Sequence, residues 1–149
     1  MNTAPRGWIL TAVVAAVLLG VIRECRAEDS VILHLGSYHL DRNGQNEINP
    51  GIGYAKRMNE QWRLIGGAYN NSGGDLAVYV GGVRHVGRAF GADWGVMGVV
   101  AWGYMPSAMP MPIVGSVAQW KLTRDDSINL GFVPGAGGVF WLTLERKLK

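Results

Sequence analysis

The sequence predicts an all-β fold: an eight-stranded antiparallel up-and-down transmembrane β-barrel, formed after a signal peptide is cleaved. Three observations predict it. The only long apolar run stands at the N-terminus. Beyond it, apolar residues recur mainly with period two, the spacing of a strand that faces two environments. The connections between these segments alternate between short polar turns and longer Gly-, Pro- and Asn-rich loops, as in outer-membrane barrels. The length of 149 residues suits one domain. Hydrophobic residues make up 48% of it and charged residues 17%, with 22 glycines in no collagen-like period. That much Gly disfavours helix interiors and suits bends and close backbone approach.

Residues 1–27 read as the signal. Arg6 supplies its positive start, and the 15 residues from Trp8 to Ile22 are uncharged and apolar. Arg23, Glu24 and Arg26 end the run, and Ala27 is a small residue at a cleavage point. A spanning helix needs about 20 apolar residues, so the stretch is short for an anchor. Cys25, the only cysteine, follows Ile22-Arg23-Glu24, which is too bulky and charged for a good lipidation site. Cleavage leaves residues 28–149 as the barrel, without cysteine and so without an internal disulfide. Of 14 basic and 11 acidic residues, three and one fall in the signal, leaving a net charge of +1. The sequence pI near 9.2 therefore owes much to the signal, and no basic patch points to nucleic acid.

Eight segments carry the strand pattern: about 30–38, 50–57, 62–69, 76–86, 92–104, 112–122, 127–133 and 138–147. In the fifth, Trp94, Val96, Gly98, Val100, Trp102 and Tyr104 alternate with Gly95, Met97, Val99, Ala101 and Gly103. The short turns centre on Asn59-Glu60, Gly87-Arg88-Ala89 and Arg124-Asp125-Asp126. The longer loops run over His39 to Asn49, Asn70 to Asp75, Met105 to Met111 and Pro134 to Gly137. Closure removes the edges that an open sheet of this size would expose. The bulkier apolar face is expected to meet lipid. The other, with Gly36, Gly67, Ala77, Gly81, Gly95, Ala101, Gly103 and Gly131, faces the lumen. Small residues there either leave an internal slot or relieve crowding in a narrow barrel. A soluble lipocalin-like barrel would need the reverse, an apolar lumen and a polar outside. Trp62, Trp94, Trp102, Trp120 and Tyr104 lie near strand ends, where interfacial aromatics belong.

No soluble-enzyme motif stands out. Gly51-Ile52-Gly53 and Gly135-Ala136-Gly137-Gly138 have no helix after them, so they are not phosphate loops. His34, His39 and His85 lack ligand-like spacing, and no metal or cofactor is expected. Chemistry is better placed on the rim. Tyr38-His39-Leu40-Asp41-Arg42 shares its side of the barrel with Tyr69-Asn70-Asn71-Ser72. A histidine and a serine there can form a base and nucleophile pair or activate an acceptor hydroxyl. The plainer reading is a hairpin tip beside a loop-binding histidine.

The stretch Gly103-Tyr-Met-Pro-Ser-Ala-Met-Pro-Met-Pro-Ile-Val-Gly-Ser-Val117, with Ile128-Asn-Leu-Gly-Phe-Val-Pro-Gly135 and Val139-Phe-Trp-Leu142, resembles the C-terminal half of the lipid A palmitoyltransferases. Tyr38-His39, Asn46-Glu47 and Tyr69-Asn-Asn-Ser72 are similar to motifs of that family's N-terminal half. The resemblance implies a monomeric outer-membrane barrel of a Gram-negative cell, with an acyl pocket inside. Its partners would be membrane lipids, moving a palmitoyl chain from phospholipid to lipid A. It places the family's essential His on His39 and its Ser on Ser72. The Asp position is Asn71, whose amide cannot carry a carboxylate's charge; Asp41 or Asp75 would have to substitute. In this reading His39 is the general base or acid, while Ser72 and Asn71 position or stabilise the reacting ester. Asp41, Arg42, Asn46, Glu47, Asp75, Pro110 and Pro112 would bind substrate. Pro110 and Pro112 would also interrupt pairing to open a lateral gate, since proline gives the ladder no donor. The chain departs from the family by lacking a helix before the first strand and by ending in Lys147-Leu148-Lys149. Two other functions fit the same residues: a non-catalytic barrel that binds lipid or alters the cell surface, and a deacylase with water as acceptor.

Overall fold

The computed structural model describes residues 29–41, 44–104, 109–135 and 137–149. The signal peptide expected over residues 1–27 lies outside them. Eight strands close into one barrel: β1 (Ser30–His39), β2 (Ile48–Arg57), β3 (Trp62–Asn70), β4 (Leu76–Ala89), β5 (Ala92–Trp102), β6 (Met111–Lys121), β7 (Asp126–Val133) and β8 (Val139–Lys147). Each is antiparallel to its sequence neighbours, and β8 closes on β1 from Ser30↔Lys147 to His39↔Val139. Every edge is thereby paired.

The alternation divides the residues cleanly. Leu33, Ile48, Ile52, Leu64, Val80, Val96, Val100 and Val114 point outward and are exposed. So wide an outward apolar band is the pattern of a transmembrane barrel. Inward, Ile32, Ala55, Ile65, Tyr79, Met97, Val99 and Ala101 form the core, with Val83, Ile113, Val133 and Trp141 packed against it. The lumen is thus more bulky and apolar at mid-height than its glycines suggested.

Those glycines make room for large side chains. A Cβ on Gly131 would fall on the indole of Trp141, its cross-strand neighbour. Gly131→Ala is therefore expected to destabilise the barrel by about 1–3 kcal/mol through overpacking. Urea unfolding in detergent measures this, and a second substitution, Trp141→Leu, should restore most of the loss.

Two features correct the sequence reading. β4 runs through Gly87, Arg88 and Ala89, and the turn is Phe90-Gly91. Both residues have positive φ, 53° and 74°, as a two-residue hairpin that matches strand twist requires. Tyr104 does not continue the outward row of β5. Gly103, at φ 100°, breaks the alternation and swings Tyr104 over the lumen, where its hydroxyl meets that of Tyr69.

Candidate functional site

His39 is the last residue of β1. Counting by twos from Ile32 and His34 would turn it outward, toward lipid. A bulge between His34 and Gly36 inserts one extra residue, so Ser37 and His39 face the lumen instead. Bulges beside functional sites commonly re-aim a side chain in this way. Ser37 Oγ donates to Asn49 Oδ1 at 2.5 Å, which ties the end of β1 to β2.

Ser72 reaches His39 from the β3–β4 loop. Its Oγ lies 3.0 Å from His39 Nε2. Histidine is buried and serine half-buried. His39 Nδ1 is also buried and has no hydrogen-bond partner among the described residues. The pair expected from the rim sequences is thus within hydrogen-bond reach, although no carboxylate among the described residues bonds the far side of the ring.

Asn71 holds the loop. Its Oδ1 accepts from the Gly73 and Asp75 backbone N–H groups at 2.9 and 3.0 Å, and its Nδ2 donates to the Gly103 carbonyl at 2.7 Å. The amide thereby fixes the turn that carries Ser72 and ties it to the end of β5. Both polar atoms of the Asn71 side chain are thus engaged within the protein, in the loop that carries Ser72. An aspartate would keep both acceptor bonds and lose the donor, setting a carboxylate against a carbonyl. Asn71→Asp should destabilise by about 1–3 kcal/mol and leave any acyl-transfer rate no higher. Chemical unfolding and a lipid assay on the same preparation check both.

The other rim residues divide. Asn46 bridges the loops: its backbone N–H donates to the Ser72 carbonyl at 3.0 Å, and its side chain closes on Ile48. Glu47 offers its carbonyl to Ser37 N–H at 2.9 Å. Together with Tyr38, His39, Gly44 and Gln45 it borders a hollow of about 210 Å³. Asp75 is exposed at the tip of its loop, and the carboxylate of Asp41 lies beside Gly137. Arg42 lies outside the described residues. Pro112 lies within β6, opposite Val100, and Pro110 just before the strand. The β6–β7 ladder begins only at Ser116↔Phe132, so Met111 to Gly115 pair with β5 alone.

Below the pair the barrel encloses a cavity of about 800 Å³, inside the roughly 300–1,000 Å³ usual for small-molecule sites. Its upper wall holds His34, whose Nε2 lies 2.9 Å from Tyr79 Oη and whose ring stacks on Tyr69 at 5.1 Å. Its middle is the apolar core. Toward the short turns it becomes charged. Glu145 receives Arg63 Nη2 at 2.8 Å on both oxygens, Gln119 Nε2 at 3.0 Å and Asn129 Nδ2 at 3.3 Å. Gln119 also donates to Ser127, and Asn129 to Thr143. Sequence reading missed this polar floor. Its members lie on β3, β6, β7 and β8, and only their inward parity marks them. Among the described residues, no group of three or more His, Cys, Asp or Glu side chains is placed to hold a metal.

No family model and no curated protein matches the chain, so the resemblance to lipid A palmitoyltransferases has no support from these comparisons. Solved structures do match. A de novo designed barrel, TMB2.3, shares 9% identity at a TM-score of 0.65, over 85% of this chain and 98% of that one. A second designed transmembrane β-barrel shares 13% at 0.65, over 83% and 98%. The Yersinia pestis outer membrane protein Ail, in a phospholipid bilayer nanodisc, shares 11% at 0.53, over 83% and 100%. At such identities the likeness is one of fold: the chain is an eight-stranded β-barrel of the transmembrane, outer-membrane type.

Proposed function

We propose that the protein is an outer-membrane lipid acyltransferase that draws one acyl chain of a phospholipid into its lumen. The observation that carries this reading is the 3.0 Å contact between His39 Nε2 and Ser72 Oγ at the mouth of an apolar cavity. A chain seated against Ile32, Ile65, Met97 and Val117 would hold its ester near that pair. His39 then serves as general base, either on Ser72 or on an acceptor hydroxyl. The stretch of β6 from Met111 to Gly115, paired with β5 but not with β7 and with Pro112 in it, offers a chain a way in from the bilayer. The resemblance names lipid A as the acceptor.

One observation favours a second reading, deacylation with water as acceptor. By sequence the loop rim carries three acids, Asp41, Glu47 and Asp75, against one cation, Arg42, which lies outside the described residues. Such a rim repels the phosphates of lipid A.

The test is mass spectrometry of lipid A and free fatty acid after incubating purified, folded barrel with phospholipid and lipid A. Acylated lipid A supports the transferase. Free fatty acid without acylated acceptor selects the deacylase. If neither product exceeds that of a His39→Ala, Ser72→Ala double variant, the barrel is a non-catalytic lipid binder.

A further inference from the structure

The charges of this barrel are segregated along its axis. All ten described Lys and Arg residues lie at the short-turn end: Lys56 and Arg57 close β2, Arg63 opens β3, Arg84 and Arg88 lie in the last turn-ward part of β4, Lys121 ends β6 and Arg124 follows it, and Arg146, Lys147 and Lys149 stand at the end of β8 and after it. Six described acids share that end, Asp29, Glu60, Asp93, Asp125, Asp126 and Glu145, leaving four positive charges in excess. The loop end has three described acids and no described cation.

Strand parity sorts the basic residues again. Arg57, Arg63, Lys121 and Lys147 line the lumen. Arg88, past the irregularity between His85 and Gly87, pairs in register with Asp93 and so shares the lumen's parity, while Lys56, Arg84 and Arg146 lie on the opposite parity, on the bilayer side. They stand at the level of an aromatic belt. Arg84 pairs in register with Trp62, and its guanidinium lies 5.8 Å from the indole centroid, while that indole packs across Gly82. Trp94 and Trp120 hydrogen-bond to the Ala89 and Phe90 carbonyls of the β4–β5 turn, and Phe90 is 92% exposed. Interfacial Trp and Phe mark the boundary between hydrocarbon and headgroups. Cations beside that belt sit at the depth of lipid phosphates.

From this placement we propose that the short-turn end is a binding surface for anionic phospholipid headgroups, with Lys56, Arg84 and Arg146 as its contacts. The ion pair of Arg146 with Asp126 at 3.0 Å holds that side chain at the rim, and the excess of cations sets the sign. Short turns face the periplasm in barrels of this type, so the favoured leaflet is the inner one. The surface stands apart from the His39–Ser72 mouth and does not depend on catalysis there.

Spin-labelled lipids test it. Barrel in phosphatidylcholine bilayers is titrated with labelled phosphatidylglycerol or labelled phosphatidylcholine, and the motionally restricted fraction gives their relative association. One Lys or Arg engaged at an anionic surface corresponds to about fivefold enrichment of phosphatidylglycerol. That enrichment should fall toward unity near 1 M salt, where charges are screened within about 3 Å. It should fall likewise in Lys56→Gln, Arg84→Gln, Arg146→Gln barrel whose folding is verified by heat-modifiable migration. Equal association of the two lipids with the unaltered protein at low salt overturns the proposal, as does enrichment that 1 M salt leaves unchanged. The salt series needs no variant to fold.

Discussion

Glu145→Ala should destabilise the barrel by about 3 kcal/mol, read as a lower urea midpoint in detergent or bilayer. Glu145 is buried at 6% exposure and receives Arg63, Gln119 and Asn129. Its removal strands a guanidinium in the lumen and leaves two amides short of an acceptor. Breaking a buried pair by deleting one partner costs about 3–5 kcal/mol. The low end applies because Arg63 remains 28% exposed and keeps Gln119 at 3.3 Å. Removing both charges is a different matter. Arg63→Met with Glu145→Leu should recover most of the loss, because the desolvation of both ions vanishes along with their attraction. If Glu145→Ala alone leaves the midpoint within about 0.5 kcal/mol of the unaltered protein, the usual range for surface substitutions, the floor is not holding the barrel together.

His39→Ala and Ser72→Ala should each lower the rate of acyl-ester cleavage by about 10²–10⁴-fold, the usual contribution of a positioned proton-transfer group. Each removes one half of the 3.0 Å contact, so the double variant should be hardly slower than either single one, as for residues that act as a unit. Fatty acyl product measured at saturating phospholipid reads this. Additive losses would mean that the two residues act separately. Unchanged rates in both single variants would place the chemistry elsewhere. His39 Nδ1 has no partner among the described residues, and a base without an orienting carboxylate is weaker than one in a full triad. The starting rate is accordingly expected to be low.

Strand existence and number were legible in the sequence because the signal is local. Period two, turn chemistry and loop-length alternation depend on neighbours along the chain, and the eight segments fall within a few residues of the strands observed. The turn after β4 was placed too early because Phe90 at positive φ is a conformation that its residue type does not advertise. Tyr104 was assigned to the lipid face because one glycine dihedral, at Gly103, decides on which side the next side chain lies.

The sequence by itself determined the barrel, and with it the rim on which His39 and Ser72 both fall, since strand count and loop alternation place them at one end. Only the tertiary structure decided that they touch. That depends on the bulge at His34/Gly36, which shifts the parity of β1, and on the amide of Asn71, which fixes the loop bearing Ser72. The same holds for the polar floor and for the collection of cations at one end, because each gathers residues from strands distant in sequence. Periodicity along a chain tells which face a residue takes. Which residues meet across a closed barrel is set by register and closure.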